Sequence, residues 1–171
     1  MNVIECIEKR HSTRQFSDRR VEKEKLEQIV HCAIQAPTGR NTQALRFVVL
    51  QKEEEMERFV KYCKHVLKRE ESPYYGANAI VFVFADMEKA STPLQDAAAA
   101  VENMLLAATE LGLGSCWIHT ASIQYFKTLQ GKEHKRIWGL ENYECLESCA
   151  IGYTQGDPLL KEKQENILRF I

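Results

Sequence analysis

"PLQDAAAAVENMLLAATELGLGSCWIH", residues 93–119, decides how this chain folds. Pro93 is tolerated in a helix's first turn, where its missing N–H has no partner to lose. Ala, Leu and Met then cover nearly every side of the stretch 97–108. A helix that is apolar all round has to be buried all round. Gly112 reads as the helix stop, and 113–119 as a strand. In so short a chain, the expectation is that a second copy buries one face of this helix. The glycines of 111–120 are not a dinucleotide-binding turn: Trp117 stands at the third glycine position, and a helix precedes them where a strand is needed.

Working outward, "AIVFVFA" (79–85) is a continuous apolar run bounded by Gly76 and Asp86, as in a strand covered on both faces. "RFVVLQ" (46–51) and "ECLESCAIGY" (144–153) are further strands. Helical spacing puts Val3, Ile4 and Ile7 on one face of 2–9, and Leu26, Ile29, Val30, Ala33 and Ile34 on one face of 22–36, ended by Pro37. Met56, Phe59, Val60, Cys63 and Val66 or Leu67 form the stripe of 53–67, whose leading acids suit a helix N-terminus. Short helices are expected at 122–130 and 134–140. The pattern predicts one domain over 1–171, a layered α+β or α/β fold around one mixed sheet. The tail from 154 is polar but ends in Ile167, Leu168, Phe170 and Ile171, which need burial. An arm over 154–171 lying on a partner subunit answers that need.

Composition narrows the function classes. The chain has 171 residues, 44% hydrophobic and 27% charged, with a net charge of −1. That balance offers no general attraction to nucleic acid or a membrane surface. The six cysteines (6, 32, 63, 116, 145 and 149) form no C-x-x-C, and no histidine pair has ligand spacing, so no metal site is expected. Reduced thiols in a cytoplasmic protein are the expected state. Residues 1–10 lack the apolar core of a secretory signal, and no apolar run approaches the ~20 residues that span a bilayer.

Four clusters carry candidate chemistry. In "RHSTRQF" (10–16), Arg10 and Arg14 bracket His11, Ser12 and Thr13. Two guanidiniums with a hydroxyl match the oxygens of a phosphate monoester, although taken alone the segment also fits a solvated basic turn. "APTGRNTQALRFVVL" (36–50) continues polar after Pro37 has made its turn: Thr38, Gly39, Asn41 and Gln43 follow. Amide side chains both donate and accept, which suits the edge of a heterocycle, and Gly39 lets a ligand approach the backbone. The strand end Trp117, Ile118, His119 and Thr120 opens into a site, or His119 is a strand-end histidine with a satisfied hydrogen bond. Lys161 and Lys163 reach toward a phosphate or belong to a solvated arm. There is no nucleophile elbow, zinc-protease helix or phosphate loop, so, if the chain is an enzyme, a bound cofactor is expected to carry its chemistry.

In this order and spacing the clusters resemble the nitroreductase family of FMN-dependent oxidoreductases. "RHSTRQF" resembles that family's R-R-S-x-R-x-F opening, and "APTGRNTQALRFVVL" its A-P-S-G-x-N-x-Q-P-W-x-F-V-V-V loop and strand. "ENMLLAATELGLGSCWI" resembles its Q-N-L-L-L-A-A-x-x-L-G-L-G-x-x-W-I, and "AIGY" its last strand. The resemblance runs from about Val3 to Phe170. It implies an α+β fold with a mixed central sheet flanked by helices, an intertwined homodimer, and FMN at the subunit interface. Arg10, His11, Ser12, Arg14, Lys161 and Lys163 would then hold the phosphate side of the flavin. Pro37, Thr38, Gly39, Asn41 and Gln43 would meet it across the interface. Trp117, Ile118, His119 and Thr120 would run beside its ring.

The resemblance implies hydride transfer from NADH or NADPH through the flavin to a nitroaromatic, a quinone or a similar small-molecule acceptor. The alternative is a flavin storage, delivery or electron-relay protein with little turnover. Neither half-reaction demands a protein acid, so no catalytic residue is assigned. Four departures stand out: Thr38 where Ser is usual, Ala44-Leu45 where Pro-Trp is common, His119 where Gly is common, and Lys163 where Arg is usual. The chain is also short for the family, which implies a more open substrate face.

Overall fold

The run 79–85 becomes strand β2 (Ala79–Asp86), buried along almost its whole length. A computed structural model describes residues 1–156, 162–164 and 167–171. Its elements, in chain order, are α1 (Val3–Lys9), α2 (Lys23–Ile34), β1 (Leu45–Leu50), α3 (Glu53–Val66), β2, α4 (Pro93–Glu110), β3 (Gly114–Ile118), α5 (Thr120–Phe126), α6 (Leu129–Ile137) and β4 (Tyr143–Gly152). The four strands form one sheet in the order β1-β2-β4-β3, so β2 and β4 are central and β1 and β3 are the edges. Every named pair is antiparallel. The expected mixed sheet is therefore mixed only through one parallel bridge, Ser12 to Ser115, on the outer edge of β3.

Side-chain alternation along β2 divides the core in two. Ala79, Val81, Val83 and Ala85 face α2 and α4, packing with Leu26, Ile29, Val101, Met104 and Cys149. Ile80, Phe82 and Phe84 face the other layer, with Phe59 and Cys63 of α3 and Tyr125 and Phe126 of α5. The second layer is dominated by aromatics: Phe59 meets Phe82 and Tyr125 edge-on, at ring distances of 5.0 and 4.7 Å. Such edge-to-face pairs add about 0.5–1.5 kcal/mol beyond burial alone.

The helix 93–111 ends as its glycine requires. Gly112 has φ +71°, its N–H bonds Thr109 O at 3.1 Å, and Leu113 N–H bonds Ala108 O at 2.8 Å. These two bonds satisfy the last carbonyls of α4 and turn the chain directly into β3. Within one protomer, Ala97, Ala100, Val101, Met104, Leu105 and Ala108 are buried, while Ala98, Ala99, Leu106 and Ala107 are half-buried. α1 is set by a capping box between Asn2 and Glu5 and rests on α4 through Cys6, whose thiol donates to Leu106 O at 3.1 Å. Its Val3, Ile4 and Ile7 stay more than half exposed, as do Ile167, Leu168, Phe170 and Ile171.

Two helix boundaries differ from the sequence expectation. α5 starts at Thr120, directly after β3, and the chain breaks at Thr128, whose hydroxyl caps Gly131 N–H at 3.1 Å and starts α6 there. α6 ends before Gly139, which has φ +68°. The two helices expected at 122–130 and 134–140 are both present with shifted ends, since periodicity over such short segments does not place a boundary and the cap does. The root of the expected arm is held within the chain: Thr154 bridges Phe16, and Gln155 N–H bonds Gln15 O at 3.0 Å.

Phe59 touches both the sheet and α5, so Phe59→Ala is expected to cost about 3–5 kcal/mol. Urea unfolding at a fixed protein concentration checks this: the midpoint falls and the slope is unchanged.

Candidate functional site

An edge strand presents unpaired backbone groups, and β3 fills its free edge with residues 12–13. Thr13 N–H bonds Ser115 O at 2.8 Å. Thr13 is buried, and it packs with Thr154 onto Gly114, where a Cβ would meet both hydroxyls at 2.5 Å. Extended backbone then turns Ser12 and Arg14 outward, and both are exposed. Arg10 is half-buried, with its Nε 3.8 Å from Glu102 of α4. Arg14 donates to Ser12 O at 3.5 Å and lies 5.9 Å from the ring of Tyr75; among the described residues it has no carboxylate within ion-pair distance. The field of this group is felt at Cys116: burial raises its thiol above the ordinary range, while Arg14, the Ser12 hydroxyl and Arg10 oppose that rise. The segment is thus a cationic lip along β3. His11 bonds Lys9 O through Nδ1 at 3.1 Å and lines a separate depression with Glu8, Lys9 and Gly112.

The polar loop 37–43 lies at the other end of the strand order, before β1. It makes one turn of 3-10 helix, Gly39–Asn41. Arg40, Asn41 and Gln43 all have positive φ, at 54°, 53° and 48°. Three side-chain-bearing residues in the left-handed region within four positions are costly, and such strain is held only where surrounding contacts over-determine it. Those contacts are visible. Gly39 N–H donates to Asp96 Oδ1 at 2.9 Å, Thr92 Oγ1 donates to the same oxygen at 2.7 Å, and Gln43 N–H donates to Thr38 Oγ1 at 3.1 Å. Gln43 Nε2 donates to Asn41 Oδ1 at 3.1 Å, so the two exposed amides stand as a pair. Pro37, Thr38, Asn41 and Gln43 line a cavity of about 690 Å³ with Val30, Ala36, Leu45 and Phe47. Gly39 serves another purpose than the expected ligand approach: a Cβ there would collide with the hydroxyls of Ser91 and Thr92.

The end of β3 is organised by a residue that sequence reading passed over. Glu147 of β4 is 6% exposed, and it accepts from Trp117 Nε1 at 2.5 Å and from His119 Nδ1 at 2.9 Å to each oxygen. The buried carboxylate is thereby paired, as burial of a charge requires. Ile118 O accepts from Ser148 Oγ at 2.6 Å, and Ser148 is bonded to the Tyr74 hydroxyl at 3.0 Å. Thr120 opens α5 and is exposed. The available signal for Glu147 was a carboxylate inside an apolar strand run, in step with Cys149 and Ile151. Asp96, in the first turn of α4, is buried and pins the loop.

The described residues of the chain do not bring all of these side chains together. The cavity at Pro37–Gln43 includes none of Arg10, His11, Ser12 or Arg14. Lys163 is exposed, and Lys161 lies outside the described residues. No three metal-ligating side chains cluster among the described residues, and none of their helices is long and apolar enough to cross a membrane. The cysteines are free; burial pushes the thiols of Cys63 and Cys145 up to about 12, so they remain protonated near neutral pH.

The sequence matches the profile of the nitroreductase family over residues 7–153. It is 30% identical over 164 residues to a protein of Archaeoglobus fulgidus provisionally named NADH dehydrogenase/NAD(P)H nitroreductase, spanning 90% of this chain and 86% of that one. A nitroreductase with bound FMN from Bacteroides fragilis superposes with a TM-score of 0.88 at 25% identity, over 100% of this chain and 99% of the other. A nitroreductase with bound FMN from Desulfitobacterium hafniense has the same fold, with a TM-score of 0.89 at 24% identity and the same coverage.

Gly39→Ala tests the loop's support. The new methyl collides with the hydroxyls of Ser91 and Thr92, the latter already committed to Asp96, so the expected cost is about 1–3 kcal/mol. Thermal denaturation reads it, and a neutral result would show that the loop relaxes freely.

Proposed function

The chain belongs to the nitroreductase family, and on that premise we propose that it is an FMN-dependent oxidoreductase taking hydride from NADH or NADPH and passing it to a nitroaromatic, quinone or similar acceptor. One observation carries the reading: Arg10, Ser12 and Arg14 are brought to the outer edge of β3, with Arg14 lacking a carboxylate partner among the described residues. Two guanidiniums and a hydroxyl form the donor set that a phosphate monoester requires. Bound FMN supplies the redox chemistry. The chain's own residues bind and orient it.

The rest of the donor set fits a flavin ring. Asn41 and Gln43 are amides held exposed by a strained loop, able to meet alternating acceptors and donors on a heterocycle. Trp117 and Ile118 add a wall at the strand end, where backbone N–H groups are available to the ring. Because the loop and the cationic lip belong to opposite sheet edges, we infer that a second copy completes the site. Exposed Val3, Ile4 and Ile7, the half-buried side of α4, and the apolar tail residues Ile167, Leu168, Phe170 and Ile171 are the surface such a homodimer would cover. Exposure of this many large apolar side chains is a mark of an interface. Lys163, and Lys161 beside it in sequence, would approach the phosphate from the arm.

Arg10→Ala combined with Arg14→Ala removes two charge-assisted contacts worth about 1.5–3 kcal/mol each. FMN affinity is expected to fall at least about a hundredfold, read by flavin fluorescence, with the elution volume of the dimer unchanged. Stoichiometric FMN retained by the double variant would put the phosphate elsewhere. A second expectation concerns the ring: Asn41→Ala shifts the absorption spectrum or potential of the bound flavin, and an unchanged spectrum and potential would remove Asn41 from the ring contact.

A further inference from the structure

Glu147 has no part in binding a flavin phosphate, yet it is a buried carboxylate at the end of the strand that would border the ring. An acceptor for two N–H donors does not need a charge. A glutamine or a backbone carbonyl accepts without the desolvation cost of a buried carboxylate, but neither carries the charge that stabilises an imidazolium beside it. The second donor is the informative one. A carboxylate only accepts, so with His119 Nδ1 at 2.9 Å from both oxygens, Nδ1 must carry the hydrogen. That assigns the other nitrogen. Nε2 holds a lone pair in the neutral ring and a proton in the charged ring. The imidazole is 61% exposed while the carboxylate beneath it is 8% exposed, so the open side of the ring is its Nε2 side.

We propose that Glu147 is a positioning residue that holds His119 with Nδ1–H buried, and that His119 Nε2–H supplies the proton taken up by a quinone-type acceptor when it receives hydride. The proposal rests on the flavin reading above. The balance is simple. The quinone takes two electrons and one proton as hydride from reduced flavin. The oxyanion forming on its other oxygen takes the Nε2 proton: an N–H bond breaks and an O–H bond forms. Hydroquinone leaves, and the neutral imidazole is reprotonated from solvent at its exposed nitrogen. Trp117 serves the same arrangement by holding Glu147 from the other side, at 2.5 Å, so that the carboxylate does not swing away.

The test has two arms. In cofactor-free protein labelled with ¹⁵N-histidine, in alkaline buffer, the resonances lost in His119→Gln are expected to show the Nδ1–H tautomer. The Nε2–H tautomer would overturn the proposal. In FMN-loaded protein reduced by NADH, reoxidation by benzoquinone, which needs a proton, is compared with reoxidation by ferricyanide, which takes electrons alone. His119→Gln and Glu147→Gln are each expected to lower the benzoquinone-to-ferricyanide rate ratio by about a hundredfold or more, the lower end for loss of a general acid. An unchanged ratio overturns the donor role even where the tautomer is as expected. His119 is exposed, so its variant carries the test if the buried Glu147→Gln protein does not fold. A wild-type protein that takes up no FMN overturns the flavin reading and the donor role together, and the tautomer result separates that outcome from a misassigned histidine.

Discussion

The outer edge of β3 is the constraint on which the rest depends. Its carbonyls and amides need partners on both sides. β4 supplies one side, and Ser12–Thr13 supply the other. Burying Thr13 against Gly114 fixes the phase of the extended segment, and phase alone turns Ser12 and Arg14 to the outside. The cationic lip is therefore a by-product of satisfying a sheet edge. The same edge ties Phe16 to Thr154, so the amino-terminal segment and the root of the tail are held as one unit.

A second support, Asp96, works from α4. One buried carboxylate oxygen receives the Gly39 amide and the Thr92 hydroxyl, and thereby holds a loop with three positive φ angles next to the first turn of the helix. Charge near a helix N-terminus is favoured by the helix dipole, which lowers the cost of burying Asp96. The helix that forms the spine of the core thus also sets the shape of the polar loop, and Glu102 on the same helix faces Arg10. Core and site share one rigid element, which is how precise side-chain placement is obtained without a large protein.

Much of the architecture was legible because its causes are local. Gly112 at the end of an apolar run, Pro37 after α2, and seven apolar residues between turn signals predict the boundaries of α4, α2 and β2 closely. The candidate site was legible as a set of residues, from their order and spacing along the chain. Glu147 was missed because a carboxylate in a strand looks like a solvent-facing residue until its two partners are known. Gly39 was read as room for a ligand, whereas the room is filled by Ser91 and Thr92. The point where α5 gives way to α6 depended on a single hydroxyl cap.

What the sequence determined by itself was the inventory: which segments are helix or strand, which helix must be buried, and which polar groups are surplus to turns and caps. These follow from periodicity and from backbone geometry within a few residues. The tertiary structure alone decided who meets whom. Glu147 lies 28 positions from His119 and Asp96 lies 57 from Gly39, and both contacts exist only because strand order and helix packing close those loops. Side-chain chemistry states what each group is able to donate or accept, but a partner that distant is chosen by the register of the sheet, where a shift of one residue would turn Glu147 to the opposite face.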